Sequence, residues 1–110
     1  MQSAPSTPEV TTAEITDSAR LIIQCWAAWN QTNQRFDELP HPLRQKYASR
    51  ATFRSLDIDN PDFWPQLLEW RVLNIPALLM IEHGKLKKLT IGIPTSSKLA
   101  SLFQAWLETD

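Results

Sequence analysis

The run from Leu21 to Trp26 is almost wholly apolar and includes β-branched residues. A half-exposed strand alternates apolar and polar side chains, whereas a strand covered on both faces reads as a continuous apolar run. The run therefore predicts a central strand that is buried on both faces. Such a strand requires a layer of other elements on each side of its sheet, which restricts the chain to a layered fold.

Two helices are predicted around this strand. A Thr-x-x-Glu capping box opens residues 11–18 and predicts a short helix there. Residues 33–49 carry apolar side chains three to four positions apart, which is typical of one helix face. Proline removes a backbone donor and clashes with the preceding turn. Pro40 and Pro42 therefore predict a kink or break near His41.

A second strand is predicted over residues 52–59, and a third helical segment follows it. Asn60 is suited to cap that helix, with Pro61 at its first position. Pro65 predicts a bend or a restart of the helix.

The last third of the chain predicts a hairpin and a closing helix. Residues 77–82 and 86–91 read as strands joined by a turn at residues 83–85. The final helix is expected to open at Thr95 or Ser96. A strand-helix-strand unit implies a parallel pair, and a hairpin adds antiparallel strands. The whole order predicts an α/β fold with a mixed sheet and helices on both faces.

Composition narrows the function classes. The chain has 110 residues and a formal net charge of -1, which predicts one domain and gives no sign of a nucleic-acid-binding surface. No apolar run approaches the roughly 20 residues needed to span a bilayer. The single cysteine, Cys25, excludes an internal disulfide and predicts a cytoplasmic protein. We also expect the protein to be a monomer. Residues 1–8 read as a flexible leader and residues 9–110 as the domain.

Several motifs then occur in a specific order along the chain. They are Cys25-Trp26-Ala27-Ala28-Trp29, Leu56-Asp57-Ile58-Asp59-Asn60-Pro61, Val72-Leu73-Asn74-Ile75-Pro76-Ala77, His83-Gly84-Lys85, and Gly92 before the closing helix. In this order and spacing they resemble the thioredoxin family over residues 9–108. The resemblance implies a thioredoxin-like fold with a central mixed sheet of four to five strands. It also implies a cis peptide bond before Pro76 and glycines suited to a turn, a bulge or a close backbone approach at Gly84 and Gly92.

The departures from the family are equally specific. Asn30 and Asn33 stand where the family has its two active-site cysteines, with Gln31 and Thr32 between them. Gln24 stands where classical thioredoxins bury an acidic residue. The family's opening strand is reduced here to residues 9–11 at most.

Disulfide exchange needs a thiolate and a second, resolving thiol, and asparagine supplies neither. We therefore expect a redox-inactive protein with no catalytic residues, no cofactor and no metal. The resemblance implies a groove that holds a protein or peptide partner, because in this family such a groove binds an extended chain. Its lining would be Trp29, Asn30, Gln31, Thr32, Asn74, Ile75, Pro76, Gly92 and Ile93.

Three alternatives stay open from the sequence. Cys25 could act as a lone nucleophile, although a small buried core residue is the simpler interpretation. The chain could be a structural domain of a larger assembly with an unused groove. Asn30 and Asn33 could serve to hold the turn and cap the following helix rather than to bind a ligand.

Overall fold

The computed structural model describes residues 7–27, 41–72, 74–92 and 94–108. Within these ranges the chain forms four α-helices and four strands. In chain order they are α1 (Thr12–Asp17), β1 (Arg20–Trp26), α2 (His41–Lys46), β2 (Thr52–Asp57), α3 (Trp64–Glu69), β3 (Ala77–Glu82), β4 (Lys85–Ile91) and α4 (Ser96–Leu107).

The four strands form one mixed sheet in the order β2-β1-β3-β4. β1 runs parallel to β2 and antiparallel to β3, and β3 pairs antiparallel with β4. β1 is therefore central, and its five inner residues are all buried. The prediction of an α/β fold with a mixed, thioredoxin-like sheet is confirmed.

Hydrophobic clusters cover both faces of the sheet. On one face, Cys25 and its neighbours pack with Ile15 of α1 and Leu67 of α3. On the other, Ile22 packs with Phe103 of α4 and Tyr47, which follows α2. Alternate side chains of β1 feed the two clusters, which is why its sequence reads as a continuous apolar run.

Among the described residues, the family's opening strand is represented by one isolated bridge, between Glu9 and Ser55. Val10 N donates to Ser55 O at 2.9 Å, and Ser55 N donates to Pro8 O at 2.8 Å. The next pairing would need a donor from residue 8 to Phe53 O, and proline has none. Arg54 Nη1 donates to Phe53 O instead, at 2.8 Å.

The fold reaches into the stretch predicted as a flexible leader. Thr7 is buried, and its carbonyl accepts a hydrogen bond from Ser55 Oγ at 3.0 Å. Residues 7 and 8 therefore contact β2 just before the predicted boundary at residue 9, which remains a prediction. The rest of that stretch, residues 1–6, lies outside the described residues.

The predicted helix starts agree with the structure. Thr11 and Glu14 form the capping box of α1, and Asn60 Oδ1 accepts from Asp62 N at 3.0 Å. A 3₁₀ turn over Pro61–Phe63 leads into α3, which restarts one residue before the predicted position. α2 begins at His41, where the break was predicted, and residues 33–40 lie outside the described part of the chain.

Helix α3 ends in a C-terminal cap that was not predicted from the sequence. Arg71 N donates to Leu68 O at 3.1 Å, and Val72 N donates to Leu67 O at 3.0 Å. This pair of bonds is a Schellman motif, whose left-handed residue is usually glycine. Here Arg71 takes that position with φ 57°.

The end of the sheet where β1 begins and β3 finishes is here called the distal end. The carbonyl of Leu107, at the end of α4, accepts from Arg50 Nη1 at 2.9 Å and from Arg20 Nη1 at 3.3 Å. Trp106 Nε1 donates to Glu82 Oε1 at 3.0 Å. Guanidinium groups at a helix C-terminus satisfy open carbonyls and oppose the helix dipole.

Candidate functional site

The opposite end of the sheet, where β1 and β2 finish and β3 begins, is here called the groove end. The peptide bond between Ile75 and Pro76 is cis, and it leads directly into β3. Gly92 N donates to Pro76 O at 2.8 Å, which fixes this loop to the end of β4. Asn74 is exposed, Ile75 is half-buried and Pro76 is buried, so the exposure of the side chains falls along the loop towards β3.

The backbone of Ile75 is the part of this loop suited to a strand-like ligand. Its N–H and C=O make no backbone hydrogen bond with any of the described residues. A peptide in extended form binds through groups of this kind, adding its main chain to the edge of a protein segment. The described half of the predicted groove, Asn74, Ile75, Pro76 and Gly92, is thus brought together at one end of the sheet.

The other half of the predicted groove lies outside the described residues. It consists of Trp29, Asn30, Gln31, Thr32 and Ile93, and the second cysteine-equivalent position, Asn33, falls there too. The roles assigned to these residues remain predictions.

Ile91 lies beside the predicted groove, although the sequence prediction did not include it. Its side chain is 50% exposed, and it pairs across the sheet with Ala77, next to Pro76. A large exposed aliphatic side chain beside a free backbone segment is a suitable contact for an apolar ligand group. The sequence feature that could have indicated it is its position as the last residue of the predicted strand, directly before Gly92.

Gly92 meets only part of its prediction. Its φ is +91°, a conformation that favours glycine, but a Cβ placed there would meet no atom within 4 Å among the described residues. The irregularity in the β3–β4 ladder lies between Met80 and Ile81 instead. The glycine is therefore explained by backbone conformation, and among the described residues no bulge or close approach accounts for it.

Beneath the groove end, Gln24 is buried in β1. Neither its amide nitrogen nor its amide oxygen has a hydrogen-bond partner among the described residues, and the same holds for Trp26 Nε1. The two side chains share one face of the strand because they are two positions apart. An amide does not titrate, so Gln24 cannot act as a base for a reaction at the groove end.

Cys25, one residue further along β1, faces the other side of the sheet. It is fully buried in the cluster that contains Leu56 and Leu79. Burial raises the pKa of the Cys25 thiol to about 12, and the negative charge of Glu9 adds to the effect. A thiol in this environment carries almost no thiolate, which is the form that reacts. The interpretation of Cys25 as a core residue is confirmed.

Among the described residues there is no group of three or more His, Cys, Asp or Glu side chains placed to hold a metal ion. In the same part of the chain, no helix has the length and apolar character needed to cross a membrane.

The sheet order, the two covered faces and the cis-proline loop together define a thioredoxin-like α/β protein. A solved chain from work on thiol resolution in yeast mitochondrial 1-Cys peroxiredoxin, through the glutathione and thioredoxin systems, has the same fold. The TM-score is 0.71, with 20% identity over 91% of this chain and 95% of that one. No protein-family model matches the chain.

Two curated proteins are similar in sequence. Thiol:disulfide interchange protein TxlA of Synechococcus elongatus is 27% identical over 95 residues, covering 86% of this chain and 50% of that protein. Thioredoxin C-2 of Corynebacterium nephridii is 25% identical over 97 residues, covering 87% of this chain and 88% of that protein. The chain thus spans half the length of TxlA and most of the length of Thioredoxin C-2. Fold and relatives together support the assignment of this chain to the thioredoxin family.

Proposed function

We propose that this protein is a redox-inactive thioredoxin-like protein that binds an extended protein or peptide segment at the groove end. It would act as a monomer in the cytoplasm, without cofactor and without turnover. The observation that carries the first part of the proposal is the chemistry of its side chains. Asn30 and Asn33 replace both cysteines, and the single thiol of Cys25 is fully buried.

The loss of disulfide exchange is supported by three separate observations. An asparagine amide is neither nucleophilic nor able to form a mixed disulfide. The Gln24 amide has no ionisable proton to exchange, whereas a buried acid at this position would have one. The pKa of Cys25 is about 12, so at neutral pH this thiol cannot substitute as the attacking group.

Retention of binding is supported by the described part of the groove. Ile75 offers backbone groups that make no backbone bond with the described residues, and exposed Ile91 offers apolar area beside them. Main-chain bonds give a strand-like ligand affinity, while an apolar contact selects its side chains. The same contacts serve a redox-active relative and a purely binding protein.

The alternative of a Cys25 nucleophile has no support in the geometry, since the thiol is buried and protonated. A structural domain with an unused groove remains the competing proposal. It predicts that substitutions at the groove end leave every interaction of the protein unchanged.

An insulin-reduction assay tests the chemical half of the proposal. We expect no catalysed reduction by the wild-type protein, and some recovered activity in the N30C/N33C double variant, limited by Gln24. Serine at both positions is the matched control, because it changes the same sites without adding thiols. Reduction by the wild-type protein at catalytic rates would refute the proposal.

Affinity purification with groove variants tests the binding half. Trp29→Ala and Ile75→Ala should lose a partner that the wild-type protein retains, because both remove contacts within the groove. Lys87→Ala, an exposed change on β4, is the control and should retain it. Equal recovery of the partner by all four proteins would favour the unused groove.

A further inference from the structure

The outer side of α3 carries an exposed apolar pair. The side chain of Trp64 is 55% exposed and that of Leu68 is 72% exposed. They lie four positions apart, so they share one face of the helix. Pairs of large apolar side chains left in water on one helix face mark interaction surfaces more often than isolated ones do.

The indole of Trp64 is held in place while it remains exposed. Its Nε1 donates to Ile58 O at 3.3 Å, and Ile58 N donates in turn to Trp26 O at 3.0 Å. A fixed aromatic ring loses little conformational entropy when a partner covers it. Tryptophan is also among the residues that contribute most to binding energy at protein interfaces.

The charged side chains in the stretch of sequence around this pair are of one sign. Residues 55–70 contain Asp57, Asp59, Asp62 and Glu69 and no Lys, Arg or His. Asp59, Asp62 and Glu69 are exposed. The next basic residue along the chain, Arg71, lies in the C-terminal cap of α3. An acidic rim favours a cationic partner and repels an acidic one.

We propose that the face of α3 formed by Trp64 and Leu68 is a docking surface for a basic segment of a partner protein. That segment presents an apolar side chain flanked by Lys or Arg. The apolar group covers Leu68, a cation lies against the ring of Trp64, and the flanking charges meet Asp59 and Asp62. None of these residues belongs to the predicted groove lining, so the test below does not depend on the proposed function.

Two fluorescent synthetic peptides test the proposal by anisotropy. One is built of Lys and Leu, and the other has the same length with Glu in place of Lys. We expect the Lys–Leu peptide to bind and the Glu–Leu peptide not to bind. Trp64→Ala should weaken binding by about tenfold or more. Asp59→Asn with Asp62→Asn should weaken it by roughly threefold to tenfold and reduce its dependence on salt.

Control variants distinguish binding at this surface from binding at the groove and from a loss of folding. Ile91→Ala, an apolar truncation beside the predicted groove, should leave peptide affinity unchanged. Trp64→Phe keeps an aromatic ring without its N–H and should retain most of the affinity, and thermal unfolding checks that each variant is folded. Equal binding of both peptides, or unchanged binding in Trp64→Ala, would overturn the proposal. A wild-type dimer in sedimentation that Trp64→Ala abolishes would overturn it in favour of a second copy of this chain.

Discussion

At the distal end of the sheet, Arg20 and Arg50 converge on the carbonyl of Leu107, and Trp106 bonds Glu82. At the groove end, the buried polar atoms of Gln24 and Trp26 meet no partner among the described residues, and Ile91 is half exposed. One end is thus stabilised by satisfied long-range contacts. At the other end, the described residues supply no partner to these buried polar atoms, and regions with fewer stabilising contacts open more readily.

The largest expected effect concerns the thiol of Cys25, near the end of β1 that leads to the groove. A thiol with a pKa of about 12 is ionised at pH 8 in about one molecule in ten thousand. Alkylation in the native state should therefore be slower than in the denatured state by about a thousandfold or more. Rapid native labelling would show that the groove end opens far more readily than the distal end.

Truncation of an apolar side chain should cost much more stability at the distal end than at the groove end. Phe103 is fully buried and has edge contacts with Tyr47 and Phe53, so Phe103→Ala should cost about 3–5 kcal/mol in the free energy of unfolding. Ile91→Ala should cost about 0.5–1 kcal/mol because half of that side chain is already in water. Urea unfolding measures both. Similar losses for the two variants would remove the distinction between the ends.

The contributions of Glu14 and Glu9 to the free energy of unfolding should change in opposite directions with pH. A hydrogen bond from Arg54 lowers the pKa of Glu14, so its stabilisation is present above the unfolded value of about 4.5 and is lost as pH falls through the folded value. Burial raises the pKa of Glu9, nearer to the groove end. Its favourable contribution is complete below about 4.5 and is lost as pH rises through the folded value.

Glu14→Gln should therefore destabilise the protein by only about 1 kcal/mol at neutral pH, because the ion pair with Arg54 is partly exposed. In acid the destabilisation should be much smaller, because Glu14 is then protonated in the wild-type protein too. Glu9→Gln should leave neutral-pH stability unchanged or raise it slightly. Unfolding curves at neutral and acidic pH test both variants. A loss in Glu9→Gln as large as that in Glu14→Gln would show that Glu9 is a stabilising charge.

The smallest expected effect concerns the left-handed Arg71, which precedes the cis-proline loop. Glycine relieves the left-handed penalty but gains freedom in the unfolded chain, so Arg71→Gly should stabilise by about 0.5 kcal/mol. Arg71→Ala removes the same side chain without relieving the backbone and should give no gain. Thermal unfolding compares the two. A destabilised Arg71→Gly would mean that the arginine side chain itself stabilises this region.

Local signals predicted most of the fold. The capping box at Thr11, the Asn60 cap and the turn at Gly84 each act within a few residues, and each is found in the structure. The distal contacts could not be read in this way. Arg20 and Leu107 are 87 positions apart, and nothing near either residue announces the pairing. The exposure of Ile91 and Trp64 likewise depends on what the completed fold leaves uncovered.

The short opening bridge affects how the protein meets other copies of itself. An outer strand with unpaired backbone groups is a template on which another chain can pair and aggregate. Pro8 stops the pairing early, and two side chains take over nearby: the guanidinium of Arg54 covers Phe53 O, and the carboxylate of Glu9 accepts from Asp57 N at 3.3 Å. At these two positions the edge of β2 is thus covered by side chains where a longer strand would otherwise cover it, which leaves fewer open backbone groups on that edge for another chain to pair with.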